Sequence, residues 1–245
     1  MHARFFTDIG PVRARNEDAG GVYYNHTGQM LMVICDGMGG HNAGNVASAL
    51  VNDMLKSRFE DENFIEFEYA ESWLRNNIAE INRELYKQSH LNDDNQGMGT
   101  TLVCALLYDD NVVIANVGDS RAYLINEREL RQVTSDHTFV NHLLLAGGLT
   151  KEEAKYHPQR NVITKVMGSD KRLHPDIFVY DFNRYNYIML TSDGLTDYVE
   201  ETQIFDIFKS TNQIEEMGSQ LIETAINNIA KDNISIVIAS LKGGM

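Results

Sequence analysis

Strand-like runs joined by very short turns constrain this chain more than any other feature of its sequence. Three of the connecting turns span only residues 25–28, 109–111 and 126–127. Connections this short can join only antiparallel neighbours, so we predict β-hairpins. The strand-like runs are 21–24, 30–35, 101–108, 112–117, 121–125, 177–180, 187–190 and 234–241.

Apolar residues at helical spacing predict four amphipathic helices between the strand clusters. We interpret each apolar stripe as a face packed in a core. Strand clusters separated by such helices favour an α+β fold in which two stacked antiparallel sheets are covered by helices. A doubly wound parallel sheet would alternate strand and helix throughout, and this chain does not. The stripes are Val46, Leu50 and Met54; Leu74, Ile78, Ile81 and Leu85; Ile204, Phe205 and Phe208; and Ile222, Ile226 and Ile229.

The composition favours a single domain over residues 1–245, since 43% of the residues are hydrophobic and only three are proline. The formal net charge is −14. Nucleic acids and anionic lipid surfaces both require clustered Lys and Arg, so neither is an expected partner. If the ligand is a phosphate ester, bound cations must reverse the local field.

The two cysteines and the hydropathy pattern indicate a cellular compartment. Cys35 and Cys104 lie inside apolar strand-like runs, which is typical of buried thiols in a reducing environment. The first eight residues lack the apolar stretch of a signal peptide, and no run approaches the ~20 apolar residues of a membrane span. We therefore expect a cytoplasmic protein without membrane insertion.

Aspartates stand at the ends of several predicted strands. Asp36 directly follows the run 30–35, Asp119 and Asp193 follow later runs, and Asp232 precedes the last one. Because the end of one antiparallel strand lies beside the start of the next, these acids can converge at one end of the sheets. Each one alone also fits a turn or helix-cap aspartate. Convergence of several acids makes that alternative the weaker interpretation.

Counting along the first hairpin extends the acidic cluster. Its turn is centred near residues 26 and 27, which places Asp36 opposite Glu17 or Asp18. Carboxylates packed together raise one another's pKa, and a divalent cation resolves the repulsion. An all-oxygen ligand set selects Mg²⁺ or Mn²⁺ rather than zinc, and the glycines from Gly37 onwards would let a backbone carbonyl approach as well.

Arg13 lies just upstream of these acids. A guanidinium beside a metal cluster can bind a phosphate in bidentate fashion, although a surface arginine is an equal alternative. Arg15, two residues further on, is expected to be exposed or to lie at the rim.

Six motifs, in order and covering essentially the whole chain, resemble the protein phosphatase 2C (PPM) family, in particular its stand-alone bacterial group of Stp, PrpC and PstP types. That family folds as a sandwich of two antiparallel β-sheets flanked by pairs of helices. The motifs are Thr7-Asp8-Ile9-Gly10 through Arg13-Ala14-Arg15-Asn16-Glu17-Asp18, Asp36-Gly37-Met38-Gly39-Gly40-His41, Met98-Gly99-Thr100-Thr101, Asn116-Val117-Gly118-Asp119-Ser120-Arg121, Thr191-Ser192-Asp193-Gly194 and Lys231-Asp232-Asn233.

The resemblance implies a role for each matching residue. Asp36 would bridge two Mn²⁺ or Mg²⁺ ions, with the carbonyl of Gly37 on the second ion and Asp193 and Asp232 completing the first. Residues 134–168 would form a flap. Within this range, the sequence Thr150-Lys151-Glu152-Glu153 by itself predicts a helix that begins with a capping box. The remaining implied roles are water-mediated binding of the second metal for Glu17 and Asp18, a third metal for Asp119 with Asp193, and phosphate binding for Arg13.

The implied activity is hydrolysis of phosphoserine and phosphothreonine in phosphoproteins, by direct attack of a water activated by the two cations. A monomer that opposes a serine/threonine kinase is the expected context. Animal members carry histidine, a proposed general acid, where Met38 stands here. The acid that protonates the leaving group is therefore unassigned, with a metal-bound water, solvent or nearby His41 as candidates.

Three alternatives stand beside this interpretation. A pseudophosphatase would bind without hydrolysis, but such proteins usually lose metal acids, and all are present here. A nucleotide cradle at 36–44 would need the Gly-Lys-Ser/Thr ending of a P-loop, which is absent. Relatives that act on small anti-anti-sigma proteins usually carry sensor domains, and none is visible in this sequence.

Overall fold

The computed structural model describes residues 1–39, 43–91 and 96–241. Its strands are β1 (His2–Asp8), β2 (Asp18–Tyr24), β3 (Met30–Met38), β4 (Gly99–Thr100), β5 (Leu102–Leu107), β6 (Asn111–Val117), β7 (Arg121–Ile125), β8 (Leu130–Gln132), β9 (Asp176–Asp181), β10 (Tyr187–Thr191) and β11 (Ile234–Ser240). Its helices are α1 (Ala43–Glu60), α2 (Phe67–Leu91), α3 (Phe139–Leu145), α4 (Lys151–Lys155), α5 (Asp193–Thr196), α6 (Glu201–Ser210) and α7 (Ile214–Asn227).

The strands form two antiparallel sheets. One sheet has the order β1-β11-β10-β7-β8, and the other has the order β2-β3-β5-β6-β9 with β4 beside β3. Helices α1 and α2 contact the second sheet, while α5 and α7 contact the first. The prediction of an α+β sandwich of two antiparallel sheets flanked by helices is confirmed. None of the helices in the described ranges has the length and apolar content of a membrane span.

Alternation of side chains across each sheet divides the interior into three cores. On β3, Leu31 and Val33 pack against α1 and α2, whereas Met32 and Ile34 pack between the two sheets. The third core joins the first sheet to α5–α7. Both faces of the central strands are therefore buried, which explains why they read as continuous apolar runs. Cys35 and Cys104 are buried free thiols, as expected.

Three strands escaped the sequence analysis: β1, the two-residue β4 and β8. β1 lies at an edge and is half exposed, and its partner β11 is more than two hundred residues away along the chain. β8 has only three residues and pairs with β7 at the other edge. Edge strands carry weak hydrophobic patterns, because one side of each meets solvent.

The helical stripes were predicted with mixed success. The stripe of α2, including Leu74 and Ile78, is fully buried as predicted. In α1 the prediction was wrong by one residue: Val46 is 37% exposed, and the buried face carries Ala47, Val51 and Leu55. Small residues near the start of α1 let the helix approach the sheet closely, which determines the inward face.

The stripe predicted in the last helix was also wrong. The buried face of α7 carries Met217, Leu221 and Ala225, while Ile222 and Ile226 are only half buried. Ile229 lies beyond the helix end, 68% exposed, with a φ of 60°. A β-branched residue in this left-handed conformation is strained. In α6, Ile204 and Phe208 are buried as predicted and Phe205 is half buried.

Candidate active site

The first hairpin places two carboxylates opposite each other at one end of the second sheet. In the β2–β3 register Asp18 pairs with Asp36, which is one of the two pairings that counting along the sequence allowed. Ser192, at the end of β10 in the other sheet, donates its hydroxyl to Asp18 Oδ2 at 2.9 Å. The contact brings the ends of both sheets together, and we call the region between them the acidic crevice, defined by Asp18, Asp36, Asp119, Asp193 and Asp232.

The backbone of Asp36 is held on both sides by threonines. The amide of Thr101 donates to the Asp36 carbonyl at 2.8 Å, and the Thr100 hydroxyl donates to the same carbonyl at 2.8 Å. The Asp36 amide donates to Thr101 Oγ1 at 3.0 Å. These bonds fix the strand end, so the direction of the Asp36 carboxylate is set by rigid backbone rather than by a mobile loop.

Glycines bring the Glu17 carboxylate close to the Gly37 carbonyl. The Gly37 amide donates to the Glu17 carbonyl at 3.2 Å, and the Ser48 hydroxyl donates to that carbonyl at 2.5 Å. A Cβ placed on Gly44 would lie 2.9 Å from both Glu17 Oε2 and the Gly37 carbonyl oxygen. Only glycine at position 44 leaves room for these two oxygens to face the same space.

Asn233 joins the Asp232 segment to the loop that carries Arg13 and Glu17. Its Oδ1 accepts the Glu17 amide at 2.8 Å, and its Nδ2 donates to the carbonyls of Ile9 and Arg15 at 2.8 and 2.9 Å. Asn233 is only 3% exposed. The sequence motif contained this asparagine but gave no sign of its role, because its three partners lie more than two hundred residues away.

The electrostatics of the crevice disfavour several ionised carboxylates in the absence of cations. Burial raises the pKa of Asp36 well above its ordinary range, and the neighbouring carboxylates of Asp18 and Asp193 raise it further. Burial likewise raises the pKa of Asp193, with Asp119 adding to the effect. The pKa of Asp18 rises to about 6 and that of Asp119 to about 7, in both cases chiefly through burial. Asp36 and Asp193 keep some solvent contact, so the crevice is open to small ions.

Two carboxylate oxygens in the crevice accept no hydrogen bond from the described residues. Oδ1 of Asp119 and Oδ1 of Asp193 are buried and have no hydrogen-bond partner within the described chain. Buried acceptors without partners are costly, and a hard cation that favours oxygen ligands would satisfy them. As the side chains are placed in the described ranges, no group of three or more His, Cys, Asp or Glu residues could hold a metal ion. Ions that keep several waters and use few carboxylates, as Mg²⁺ does, fit such an open arrangement.

Arg13 lies at the rim of the crevice and is bound to a predicted metal ligand. Its Nη2 donates to Asp232 Oδ2 at 2.6 Å, and its Nε donates to the Lys231 carbonyl at 3.0 Å. The Arg13 side chain is 47% exposed. Against the lowering effect of desolvation, the carboxylates of Asp232 and Glu17 raise the pKa of Arg13. Arg15 is exposed, as expected.

A second arginine–aspartate pair supports the Asp119 side of the crevice and was missed from sequence. Arg121 binds Asp136 in bidentate fashion: its Nε donates to Oδ1 at 3.1 Å and its Nη2 donates to Oδ2 at 2.7 Å. Asp136 also contributes to the raised pKa of Asp119, second only to burial. Arg121 was visible in a motif, but its partner lies in a stretch without any recognisable pattern.

The remaining predicted features of the site have varied outcomes. Met38 ends β3 beside Gly99. His41 and Gly40 lie outside the described residues. The capping box at Thr150 is confirmed: Thr150 Oγ1 accepts the Glu153 amide at 3.2 Å, and Glu153 Oε2 accepts the Thr150 amide at 2.8 Å.

Comparison with known proteins identifies this arrangement. Residues 13–143 match the sequence model of the protein phosphatase 2C family. The chain is 41% identical over 239 residues to the serine/threonine phosphatase stp of Listeria welshimeri, a match that covers 97% of this chain and 95% of the relative. The chain belongs to the protein phosphatase 2C family.

Solved structures of protein phosphatase 2C relatives have the same fold, and one of them contains manganese. The crystal structure of serine/threonine phosphatase Stp1 from Staphylococcus aureus matches with a TM-score of 0.96 at 57% identity, covering 98% of this chain and 95% of that one. The catalytic domain of serine threonine protein phosphatase PstP, solved in complex with two manganese ions, matches with a TM-score of 0.84 at 32% identity over 98% of this chain and 97% of that one.

This protein phosphatase 2C chain is therefore a serine/threonine protein phosphatase of the bacterial Stp type, a metal-dependent hydrolase that acts on phosphoproteins. Manganese or magnesium is its cofactor class. The crevice of converging carboxylates is the part of the described chain whose chemistry fits such ions.

Proposed function

We propose that this phosphatase hydrolyses phosphoserine and phosphothreonine esters in the acidic crevice, where Asp36 bridges two Mn²⁺ or Mg²⁺ ions. Asp193 and Asp232 complete the first ion's ligands, and the Gly37 carbonyl faces the second. The observation that carries this assignment is the convergence of buried carboxylates with raised pKa values, one of which, Asp193, keeps a buried oxygen without a partner.

The ions, when bound, lower the pKa of water and neutralise the charge of the phosphate. Glu17 and Asp18 orient the surrounding waters from the side of the first hairpin. The Thr100 and Thr101 bonds hold the Asp36 backbone rigid, so no reorganisation of the strand end accompanies the reaction. Positioned charges of this kind provide most of the rate enhancement expected in phosphate ester hydrolysis.

Arg13 is assigned to the phosphate. In the structure its guanidinium is bound to Asp232. A bound phosphate offers the same guanidinium a second, bidentate partner. Since Arg13 is half exposed, it can turn between these partners without losing buried contacts.

A third ion is assigned to Asp119 together with Asp193. Both side chains carry a buried oxygen that has no hydrogen-bond partner among the described residues, and the carboxylate of Asp119 has the largest charge effect on the pKa of Asp193. Asp136 lies near Asp119 but is engaged by Arg121. This leaves the carboxylate of Asp119 available to a cation.

The wider context is proposed as follows. The chain forms one phosphatase domain over 1–245, with residues 134–168 as a flap beside the crevice. It acts as a monomer, since a single chain provides every assigned residue, and it works in the cytoplasm, where the buried free thiols of Cys35 and Cys104 are stable. Its phosphoprotein substrates are made by a serine/threonine kinase, whose action it opposes.

Calorimetric titration with Mn²⁺ tests the ligand assignment directly. Asp36→Asn should bind at least one ion fewer than the wild type, because the bridging carboxylate serves two ions. Asp206→Asn, an equal charge change on the exposed face of α6, is the matched control and should bind Mn²⁺ as the wild type does. Wild-type Mn²⁺ stoichiometry and affinity in Asp36→Asn would refute the assignment.

A further inference from the structure

A cavity lies at the opposite end of the second sheet from the acidic crevice. It has a volume of about 780 Å³ and is bordered by the β2–β3 turn, the β5–β6 turn and the segment that leads into α2. Met30, at the start of β3, lines it, whereas Asp36 is six residues further along the same strand. At about 3.3 Å per residue, roughly 20 Å separates the two sites. We call this cavity the distal cleft, defined by its aromatic residues Tyr24, Phe64, Phe67 and Tyr108.

Aromatic rings with exposed faces form the walls of the distal cleft. Phe64 and Phe67 each meet Tyr108 edge to face, with ring centroids 6.0 and 5.3 Å apart. Phe64 is 49% exposed and Phe67 41%, and Tyr24, on the opposite border, is 49% exposed. A folded chain usually buries such rings, so a group of them around a cavity indicates a binding surface.

The cleft is held in shape by buried hydrogen bonds. Gln29 binds both the amide and the carbonyl of Ile65, at 3.0 and 3.2 Å, and the Tyr108 hydroxyl donates to the same carbonyl at 2.9 Å. Asn25 Nδ2 donates to the Asn63 carbonyl at 2.7 Å. These bonds attach the segment before α2 to the first hairpin, so the rings need little ordering when a ligand binds.

Four exposed carboxylates surround the rings: Glu66, Glu68, Asp109 and Asp110. Within the described ranges none of the four forms a salt bridge, and the α-amino group of Met1 is the one basic group among the cleft's lining residues. Aromatic faces beside carboxylates attract Lys and Arg side chains, since the ring quadrupole and the negative charge act on the same cation. The chemistry of the cleft is therefore complementary to a basic peptide.

We propose that the distal cleft binds a Lys- or Arg-containing segment of a phosphoprotein substrate and so docks the substrate about 20 Å from the reacting phosphate. The docking role rests on the phosphoprotein hydrolysis proposed above, whereas binding of a basic peptide by the cleft does not. Docking of this kind raises the local concentration of the phosphorylated residue at the crevice without any new contact there.

Two phosphopeptides separate docking from catalysis. The first is a short neutral phosphoserine peptide. The second adds a flexible Gly/Ser linker of ~16 residues, whose root-mean-square length of roughly 20 Å matches the span, and ends in a Lys/Arg segment. We expect kcat/KM about fivefold higher for the second peptide at low salt, with the gain falling as ionic strength rises. A version whose linker has only ~3 residues cannot span the distance and should show no gain.

Two independent charge variants locate the effect. Glu66→Gln/Glu68→Gln and Asp109→Asn/Asp110→Asn should each remove most of the fivefold gain. Both variants should hydrolyse the short peptide as fast as the wild type does. Hydrolysis of the short peptide therefore tests the catalytic proposal separately from docking. The matched control, Asp206→Asn/Glu223→Gln, removes the same charge from the exposed faces of α6 and α7 and should keep the gain.

Fluorescence anisotropy with the labelled basic segment alone, without phosphate, measures binding directly. Equal affinity in the wild type and in both cleft variants would overturn the proposal, as would an equal loss in the control variant. Sedimentation supplies a further test: a dimer that only the cleft variants abolish would show that a second copy of this chain, rather than a basic peptide, occupies the cleft.

Discussion

The two ends of the second sheet are both acidic, yet they arrange their carboxylates in opposite ways. At the acidic crevice the side chains converge, burial raises the pKa values of Asp36 and Asp119, and two buried oxygens have no hydrogen-bond partner among the described residues. At the distal cleft the carboxylates are exposed and spread around aromatic rings. The comparison teaches that burial, rather than charge alone, determines which cations an acidic surface recruits: small metal ions in one case and solvated side chains in the other.

Topology accounts for the difference. At the distal end, tight hairpin turns reverse the chain, so their polar side chains project into water. At the crevice, segments distant in sequence fold over the strand ends, and Asn233 binds three of their backbone groups. Those segments remove the carboxylates from bulk solvent.

The largest expected difference concerns removal of one charge from each end. Asp193→Asn should lower Mn²⁺-dependent hydrolysis of p-nitrophenyl phosphate by more than about 10³-fold, because a carboxylate assigned to the first ion is lost. Asp109→Asn at the distal cleft should leave the hydrolysis of p-nitrophenyl phosphate unchanged. Steady-state kinetics of both variants, with circular dichroism to verify folding, make the comparison. Near-wild-type turnover of Asp193→Asn would remove it from the metal site.

Much of the crevice was readable from sequence, because its parts obey local rules. Short turns predicted antiparallel pairing, and counting along the first hairpin narrowed the residue opposite Asp36 to Glu17 or Asp18, of which the structure selects Asp18. Acids that directly follow strand-like runs were recognisable for the same reason. In each of these patterns, the position of the side chain is determined by a neighbour in sequence or by the residue across a single turn.

The features that sequence did not reveal depend on contacts between distant segments. Asn233 donates to carbonyls more than two hundred residues away along the chain. Arg121 binds Asp136, which lies in a segment without a recognisable sequence motif. The prediction of the buried face of α7 was also wrong. Ile222 and Ile226 form a second apolar stripe beside the one that is buried, and only packing against the sheet determines which stripe faces inward. The distal cleft likewise forms only where two separate turns and the segment that leads into α2 meet in space.

The next largest effect is expected where a glycine leaves room for two oxygens of the metal site. Gly44→Ala would place a methyl group 2.9 Å from Glu17 Oε2 and from the Gly37 carbonyl oxygen, so one of them must move. We expect Mn²⁺ affinity to fall about 10- to 100-fold, as for changes to groups that orient metal ligands. Gly28→Ala, in the turn at the distal end, has open space around it and a φ of 80°. It should lower stability by about 1 kcal/mol and leave Mn²⁺ affinity unchanged.

A smaller effect is expected at the rim of the crevice. Arg13→Ala should raise KM for small phosphate esters about tenfold with a lesser change in kcat, because a charged hydrogen bond to the phosphate is lost. Arg15→Ala makes the same charge change two residues along the segment and should alter KM much less. Equal KM changes in the two variants would indicate a general electrostatic effect and would remove Arg13 from the phosphate site.

The smallest predicted effect is a pH dependence of stability in the metal-free protein. The pKa values of Asp18 and Asp119, about 6 and about 7 in the folded chain, exceed the ~3.9 of an unfolded aspartate. Between about pH 4 and 7 the folded state therefore holds protons that the unfolded state releases, so the free energy of unfolding falls as pH rises through this window. We expect Tm to drop by about 5 °C from pH 5 to 7.5.

Calorimetry with and without metal tests this pH dependence and its origin. Mn²⁺ should restore Tm strongly at pH 7.5 and weakly at pH 5, because binding competes with protons for the same carboxylates. Asp119→Asn removes one of four crevice carboxyl groups whose pKa values burial raises, so it should reduce the slope of the metal-free profile. Glu66→Gln/Glu68→Gln alters only exposed carboxylates of the distal cleft and should keep the wild-type slope. A profile that Asp119→Asn leaves unchanged would mean that ionisation in the crevice has little cost, and the contrast between the two ends would then lie in geometry alone.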